Sequence, residues 1–446
     1  MARLFGTDGV RGIANTELTC ETAFRLGQAA VVFLGRTIVI GKDTRRSGDM
    51  LESALAAGVM SMGGCALLAG IIPTPGVAFL IKELYSDGGV VISASHNPPE
   101  YNGIKLFDSQ GVKLPDAAED EIEAFIVGGG AQAEDLPAGD MVGVALPVEN
   151  ACGLYIDHVV KSVESQGIRF DGLHIALDTA HGAASTTSEE AFSRLGAQVS
   201  VINNDFTGVD INAECGSTNL SPLHDLMTAT GADVGIAHDG DADRVMIIGA
   251  HGKVIDGDMI EAVCALDLKE RGLLRGNRVT TTVMCNLGFI HVMDKAGIEV
   301  LQTKVGDRYV LEAMIEKDCV LGGEQSGHII MRDHNSTGDG LLVACQFLAA
   351  CKRLGKTVEE AASVMACVPQ VLINVKGVDK AAVDTNEALT REIAAAADEL
   401  GDTGRILVRP SGTEPLIRVM VEAHDPDRAS RIAEHLAKVV KSELSL

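Results

Sequence analysis

Two hydroxyls and an imidazole stand together in Ser93-Ala94-Ser95-His96, a stretch that could supply a fixed nucleophile. Turn formers crowd the next residues: Asn97, Pro98, Pro99, Asn102 and Gly103. Further along, Asp239, Asp241 and Asp243 alternate in Asp-Gly-Asp-Ala-Asp-Arg. Three carboxylates so spaced on a tight turn can converge oxygens on one hard divalent cation. An EF-hand does not account for them: its loop needs Gly and Glu where Arg244 and Ala250 stand. With only protein carboxylates from this turn, coordination is left for a phosphate oxygen, which suits Mg²⁺. A third stretch, Gly322-Gly323-Glu324-Gln325-Ser326-Gly327-His328, sets a carboxylate, an amide and a hydroxyl between glycines. That is an inventory for binding a polyhydroxylated ligand such as a sugar. A fourth, Arg409-Pro410-Ser411-Gly412-Thr413-Glu414-Pro415 with Arg418 after it, places two hydroxyls in a Gly turn between arginines. Its backbone N–H groups can form an anion nest, and Arg pairs bidentately with phosphate. Arg11 and Lys105 are candidates for neutralising phosphate or moving a proton, whereas His181 has no paired ligand spacing and reads as structural. Nucleophile, cation site, sugar loop and phosphate clamp are together what phosphoryl transfer requires.

Strands must hold these loops. Apolar runs at 89–92 and 104–107 flank the serine loop, 234–237 and 245–248 the aspartate loop, and 319–321 and 328–331 the sugar loop. Upstream, helical periodicity over 19–35 and 49–63 alternates with strand patterns at 37–40 and 65–69, and Pro73-Thr74-Pro75-Gly76 opens another helix. Such alternation means α/β units. The opening 5–12 is too rich in glycine for a helix and lays backbone close to something. Residues 128–150 carry glycines, Pro137 and few periodic apolar positions, which places a domain boundary near their end. One unit recurs three times: strand and loop, a helical middle, then strand, functional loop, strand. Repeats of this length exceed solenoid periods. The last segment reads as strands at 371–375, 405–408 and 416–421 with helices at 386–400 and 426–444. The expected fold is therefore α/β: three similar α/β domains with mixed sheets plus a smaller α+β C-terminal domain, arranged around a central cleft. The expected divisions are 1–150, 151–250, 251–368 and 369–446, with a hinge at the Val368-Pro369 step.

Composition narrows the partners. The 446 residues carry a net charge of -25, which repels nucleic acid and anionic membranes. An anionic substrate must then be held by local cations. With aromatics at 3% and no Trp, base stacking on aromatic platforms is not expected and the cores are built from aliphatic residues and Met. The 10 cysteines show no Cys-x-x-Cys pair and mostly sit in apolar runs, as reduced thiols do. No signal-peptide core opens the chain and no apolar run spans a bilayer, so a cytoplasmic protein is expected.

These motifs resemble the α-D-phosphohexomutases, over essentially the whole chain. The resemblance rests on residues 5–12 (Phe-Gly-Thr-Asp-Gly-Val-Arg-Gly), Ser93-Ala94-Ser95-His96-Asn97-Pro98, the 239–244 and 323–328 loops and the 409–415 loop, all in order. The N-terminal motif and the Glu-Gln-Ser loop favour the glucosamine branch. The resemblance implies that Ser95 carries the phosphoryl group and that Asp239, Asp241 and Asp243 hold Mg²⁺, the Ser95 phosphate completing the site. It implies that Glu324 and Ser326 bind sugar hydroxyls, and that Arg409, Ser411, Gly412, Thr413 and Arg418 hold the non-reacting phosphate. The implied reaction converts glucosamine 6-phosphate to glucosamine 1-phosphate through a 1,6-bisphosphate, with glucosamine or glucose 1,6-bisphosphate as activator, feeding UDP-N-acetylglucosamine. Lys105, Arg11 and His328 are the candidates for general acid and base. A phosphomannomutase or phosphoglucomutase, or a metal-dependent sugar phosphatase, would carry similar motifs. The oligomeric state stays open, a homodimer among the options. Pro99-Glu100-Tyr101 departs from the more aromatic or acidic stretch expected after the serine, which bears on local loop shape only.

Overall fold

The computed structural model describes residues 4–6, 8–411 and 415–446. The chain forms two units, one of Met1–Met284 with Ile298–Val364 and one of Cys285–Gly297 with Met365–Leu446.

The first unit holds three sheets. The first comprises β1 (Phe5–Gly6), β2 (Gly9–Ile13), β3 (Thr37–Lys42), β4 (Cys65–Ile71), β5 (Gly88–Ile92), β6 (Tyr101–Asp108) and β7 (Val144–Pro147), in the order β1-β2-β6-β5-β3-β4-β7. The second has β8 (His174–Asp178), β9 (Gln198–Ile202), β10 (Val234–His238), β11 (Val245–Gly249) and β12 (Val254–Ile255), ordered β12-β11-β10-β8-β9. The third has β13 (Arg278–Thr282), β14 (Glu299–Thr303), β15 (Leu321–Gly323) and β16 (Ile329–Met331), ordered β14-β13-β15-β16. One plan repeats. A parallel strand runs into a loop and returns as an antiparallel neighbour: β5 to β6, β10 to β11, β15 to β16. Each of the three functional loops is such a return, so all three sheets are mixed.

Two elements differ from the sequence reading. Residues 144–147, expected to be irregular, form β7 and pair in parallel with β4 at the sheet edge. Gly322 and Gly323, expected in the sugar loop, belong to β15 because their backbones pair with Ile330 and Ile329. The glycine-rich opening forms β1 and β2, and β2 lies antiparallel against β6 just beyond the serine loop.

Small residues let the layers approach. A Cβ on Gly27 would lie 2.1 Å from Leu55 O and one on Gly58 2.0 Å from Phe24 O, so the helices Cys20–Phe33 and Gly48–Ser61 meet backbone to backbone. Val, Ile, Leu and Ala then fill a core with little aromatic volume. Thr19 and Asp339 cap the helices Cys20–Phe33 and Gly340–Leu354, accepting from Thr22 N at 3.3 Å and Leu342 N at 3.0 Å.

The second unit is an antiparallel sheet of β17 (Gln370–Lys376), β18 (Gly404–Pro410) and β19 (Leu416–Ala423), ordered β17-β19-β18, with helices Glu387–Leu400 and Pro426–Glu443 packed on it. Helix Leu287–Lys295 joins this unit. Its cap, Asn286, donates from Nδ2 to Val368 O and accepts from Val368 N, both at 2.9 Å. Val368, expected at a hinge, is thus fastened inside the unit.

Candidate active site

Ser95 is 1% exposed and sits in the left-handed region at φ 51°, unusual for a non-glycine residue. Its Oγ donates to Asp239 Oδ2 at 2.6 Å and lies 3.3 Å from His96 Nδ1. A Cβ on Gly240 would stand 2.7 Å from Ser95 O, so glycine at that position lets the aspartate loop press against the serine loop. Asp239, Asp241 and Asp243 are all buried and offer oxygens within 4.8 Å of one another. Thr74 donates to Asp241 Oδ2 at 2.7 Å and Lys105 Nζ to the same oxygen at 3.1 Å, with Asp243 Oδ2 3.8 Å from that amine. Asp241 Oδ1 and Asp243 Oδ1 are buried without a hydrogen-bond donor.

The electrostatics follow from this crowding. Burial, then the charges of Asp243 and Asp241, push Asp239 well above the usual carboxylate range. Burial alone would raise Asp243 too, but the neighbouring His328, Lys105 and Arg244 outweigh it and hold Asp243 well below that range. His328 faces Asp243 with Nδ1–Oδ2 at 3.5 Å and Asp307 with Nε2–Oδ2 at 3.8 Å. Burial opposes its charge, yet these carboxylates and Glu324 raise its pKa. His96 moves the other way, lowered to about 4 by burial and then by Arg244 and Arg11. A neutral imidazole therefore adjoins the Ser95 hydroxyl.

Arg11 reaches Asn97 Oδ1 at 3.5 Å and pairs with Asp8 at 3.1 Å. Lys113 also holds Asp8, at 3.0 Å, and bonds Asp307. The sugar loop abuts the aspartate loop: Val245 N donates to Gly327 O at 3.1 Å, and Arg244 forms a bridge with His328. Glu324 is half-buried, its Oε1 accepting from Gly306 N at 3.1 Å, while Ser326 is exposed. The structure thus brings together Ser95, Asp239, Asp241, Asp243, Lys105, Arg11 and His328, with Glu324 at their margin. Sequence reasoning missed Asp8, Lys113, Asp307, Thr74 and the role of His96. Only Asp8, three residues from Arg11, and His96, next to Ser95, carried a signal.

In the second unit Arg409 and Arg418 stand directly opposite on β18 and β19. Burial, then the Arg418 charge, lowers the Arg409 pKa. Ser411 is buried at the end of β18, its N–H bonded to Leu416 O at 2.9 Å. Gly412 and Thr413 lie outside the described residues.

Family models match in chain order. They are phosphoglucomutase/phosphomannomutase alpha/beta/alpha domain I over residues 2–131, domain II over 154–252, domain III over 256–368 and the C-terminal domain over 372–439. A phosphoglucosamine mutase of Thermobifida fusca is 50% identical over 454 residues, covering 100% of both chains. One of Clostridium novyi is 47% identical over 451 residues, covering 99% of each. The crystal structure of Aspergillus fumigatus N-acetylphosphoglucosamine mutase, in complex with GlcNAc-6P and magnesium, shares the fold at a TM-score of 0.74 and 16% identity, covering 99% of this chain and 96% of that one. Four domain models in order and relatives near half identical along the whole length place this chain in the phosphoglucomutase/phosphomannomutase family.

Proposed function

We propose that the protein is a phosphohexomutase of the glucosamine branch. It interconverts glucosamine 6-phosphate and glucosamine 1-phosphate through a phosphorylated Ser95 and a 1,6-bisphosphate intermediate, in the supply of UDP-N-acetylglucosamine. The observation that carries this reading is the 2.6 Å contact of Ser95 Oγ with Asp239, inside a trio of carboxylates in which Asp241 Oδ1 and Asp243 Oδ1 lack donors. Orphaned, buried, mutually repelling carboxylates fit Mg²⁺, held by Asp239, Asp241 and Asp243 with the Ser95 phosphate completing the site. Bound there, the ion neutralises charge on the phosphoryl group.

In the forward step the bond from Ser95 Oγ to phosphorus breaks while the free sugar hydroxyl oxygen bonds phosphorus; the sugar hydroxyl gives its proton to a base and the freed Ser95 Oγ takes one up. In the return step Ser95 Oγ gives up that proton and bonds the other phosphorus of the bisphosphate, while the sugar oxygen bond to that phosphorus breaks and the sugar oxygen regains a proton. His328, whose pKa burial lowers but Asp243 and Asp307 raise on balance, is the candidate acid. Arg11 supplies a guanidinium that neutralises phosphate. Lys105, whose amine lies 3.1 Å from Asp241 Oδ2 and 3.8 Å from Asp243 Oδ2, is a further candidate for moving the proton. Glu324 and Ser326 read hydroxyls, and Arg409, Ser411, Gly412, Thr413 and Arg418 take the non-reacting phosphate. Domain divisions at 150, 250 and 368 and a cytoplasmic setting, in keeping with ten free cysteines, belong to the same proposal.

Mass spectrometry of the purified protein tests the reading, since a phosphate on Ser95 is expected. Turnover of glucosamine 6-phosphate is then compared with that of glucose and mannose 6-phosphates. A better rate with either of the latter overturns the glucosamine assignment, and release of inorganic phosphate in place of isomer overturns the mutase.

A further inference from the structure

Arg45 lies in the loop after β3, outside the catalytic and binding motifs, and is 2% exposed. Its guanidinium touches neither Ser95 Oγ nor the three aspartates; its donors go to backbone and to Asp43. Nη2 donates to Ser95 O at 2.9 Å and Asn97 O at 2.8 Å. Nη1 donates to Tyr101 O at 2.9 Å and to Pro98 O. Nε donates to Asp43 Oδ2 at 2.9 Å. All five N–H bonds of the fork are used.

Four carbonyl oxygens of the serine loop therefore converge on one buried cation. They could not do so without it, since their dipoles repel and buried carbonyls need donors. Asn212 adds a second hold from the other side, its Nδ2 donating to the same Ser95 and Asn97 oxygens at 2.8 Å and 3.1 Å. Asp43 balances the Arg45 charge and closes a circuit. Its Oδ2 accepts from Ser93 Oγ at 2.6 Å, and Ser93 Oγ accepts from Ser95 N at 2.9 Å. The N–H of Ser95 is thus held through Asp43 and its C=O directly by Arg45. Both peptide groups flanking the Ser95 Cα are fixed, in a left-handed conformation that a serine does not adopt without support. Fixing them sets the Cα–Cβ direction and so aims Oγ at Asp239.

We infer that Arg45, balanced by Asp43 and assisted by Asn212, is the positioning residue for the phosphoryl-carrying serine: it holds the Ser95 loop in its left-handed, reactive posture. This rests on the reading of Ser95 as the nucleophile. A positioning role predicts a loss in kcat with little change in KM, because sugar contacts lie elsewhere.

The test compares wild type with Arg45→Lys, Arg45→Ala and Asn212→Ala in the full-length protein. It uses glucosamine 6-phosphate as substrate and glucose 1,6-bisphosphate as activator, with circular dichroism confirming the fold. A lysine cannot serve four carbonyls in one plane, so Arg45→Lys is expected to lose about 100-fold in kcat with KM within about threefold. Asn212→Ala is expected to lose about tenfold in the same pattern. Added guanidinium salt at non-denaturing concentration should restore part of the kcat of Arg45→Ala, and an ammonium salt should not. A folded Arg45→Lys with wild-type kcat, a loss confined to KM, or an Arg45→Ala indifferent to guanidinium overturns the proposal. If both Arg45 variants fail to fold, Asn212→Ala decides: lowered kcat at unchanged KM supports the proposal and wild-type kcat overturns it. Absence of phosphate on Ser95 in the wild type would instead overturn the nucleophile reading on which the inference stands.

Discussion

The cations around Ser95 rest on carboxylates: Lys105 on Asp241, Arg11 and Lys113 on Asp8, His328 on Asp243. On β18 and β19 of the second unit, by contrast, Arg409 and Arg418 face each other directly. The first arrangement is largely neutral and stiff. It holds geometry and stores little attraction for an anion. The second sets two guanidiniums on opposed strands, where burial and then the Arg418 charge lower the Arg409 pKa. Under the proposed function the two arrangements take separate jobs: the carboxylate-rich cluster sets the rate of phosphoryl transfer, and the arginine pair sets affinity for the phosphate that does not react.

Removing the Ser95 hydroxyl breaks the comparison at its root. Ser95→Ala should abolish isomerisation in a coupled assay while the protein still binds sugar phosphate, because the arginine pair is untouched. Residual isomerisation above background would move the nucleophile elsewhere. Next in size is the carboxylate trio. Asp241→Asn, or chelation of divalent cations, should lower kcat by about 100- to 1,000-fold, the usual range for losing a group that stabilises transition-state charge. Added Mg²⁺ should rescue the chelated enzyme but not the variant. Rescue of Asp241→Asn to full rate would show that Asp241 does not serve the cation.

The arginine pair should respond in KM. Hydrogen bonds to charged groups contribute about 1.5–3 kcal/mol, so Arg418→Ala should raise KM by roughly tenfold to 150-fold with a smaller change in kcat. Arg409→Ala should do likewise. An unchanged KM in both variants would mean that the pair does not hold the phosphate.

Much of this site was legible in the sequence because its parts are contiguous. Asp239, Asp241 and Asp243 alternate on one turn, and turn geometry alone brings their oxygens together. The three strand–loop–strand returns were readable for the same local reason. What stayed hidden depends on contacts between distant segments. Lys113 meets Asp8 and Asp307 across long chain separations, and Thr74 reaches Asp241 from a helix start that looks like any Pro-Thr-Pro opening. Strand β7 escaped because pairing with β4, not its own exposed and short sequence, makes it a strand. In the sequence Arg45 is one charge among Lys42, Asp43 and Arg46. Its meaning lies in four carbonyls that curl toward it from the next strand–loop–strand.

The smallest effect expected concerns pH, and it sharpens the same contrast. In metal-free protein His328 and Asp243 are paired in a buried site, with the imidazole pKa raised and the carboxyl pKa lowered. A raised histidine contributes stability that is complete below its unfolded value of about 6.5 and is lost as pH climbs through the folded value. A lowered carboxyl contributes stability that is complete above about 3.9 and is lost as pH falls through its folded value. Melting temperature should therefore decline on the alkaline side of about pH 6.5, beyond what other groups cause. His328→Gln should flatten that alkaline decline, since a glutamine has no proton to lose, whereas Arg409→Ala should leave its slope unchanged. An equal alkaline slope in wild type and His328→Gln would mean that His328 is not held charged. The cluster around Ser95 would then lack the self-neutralising character that separates it from the arginine pair.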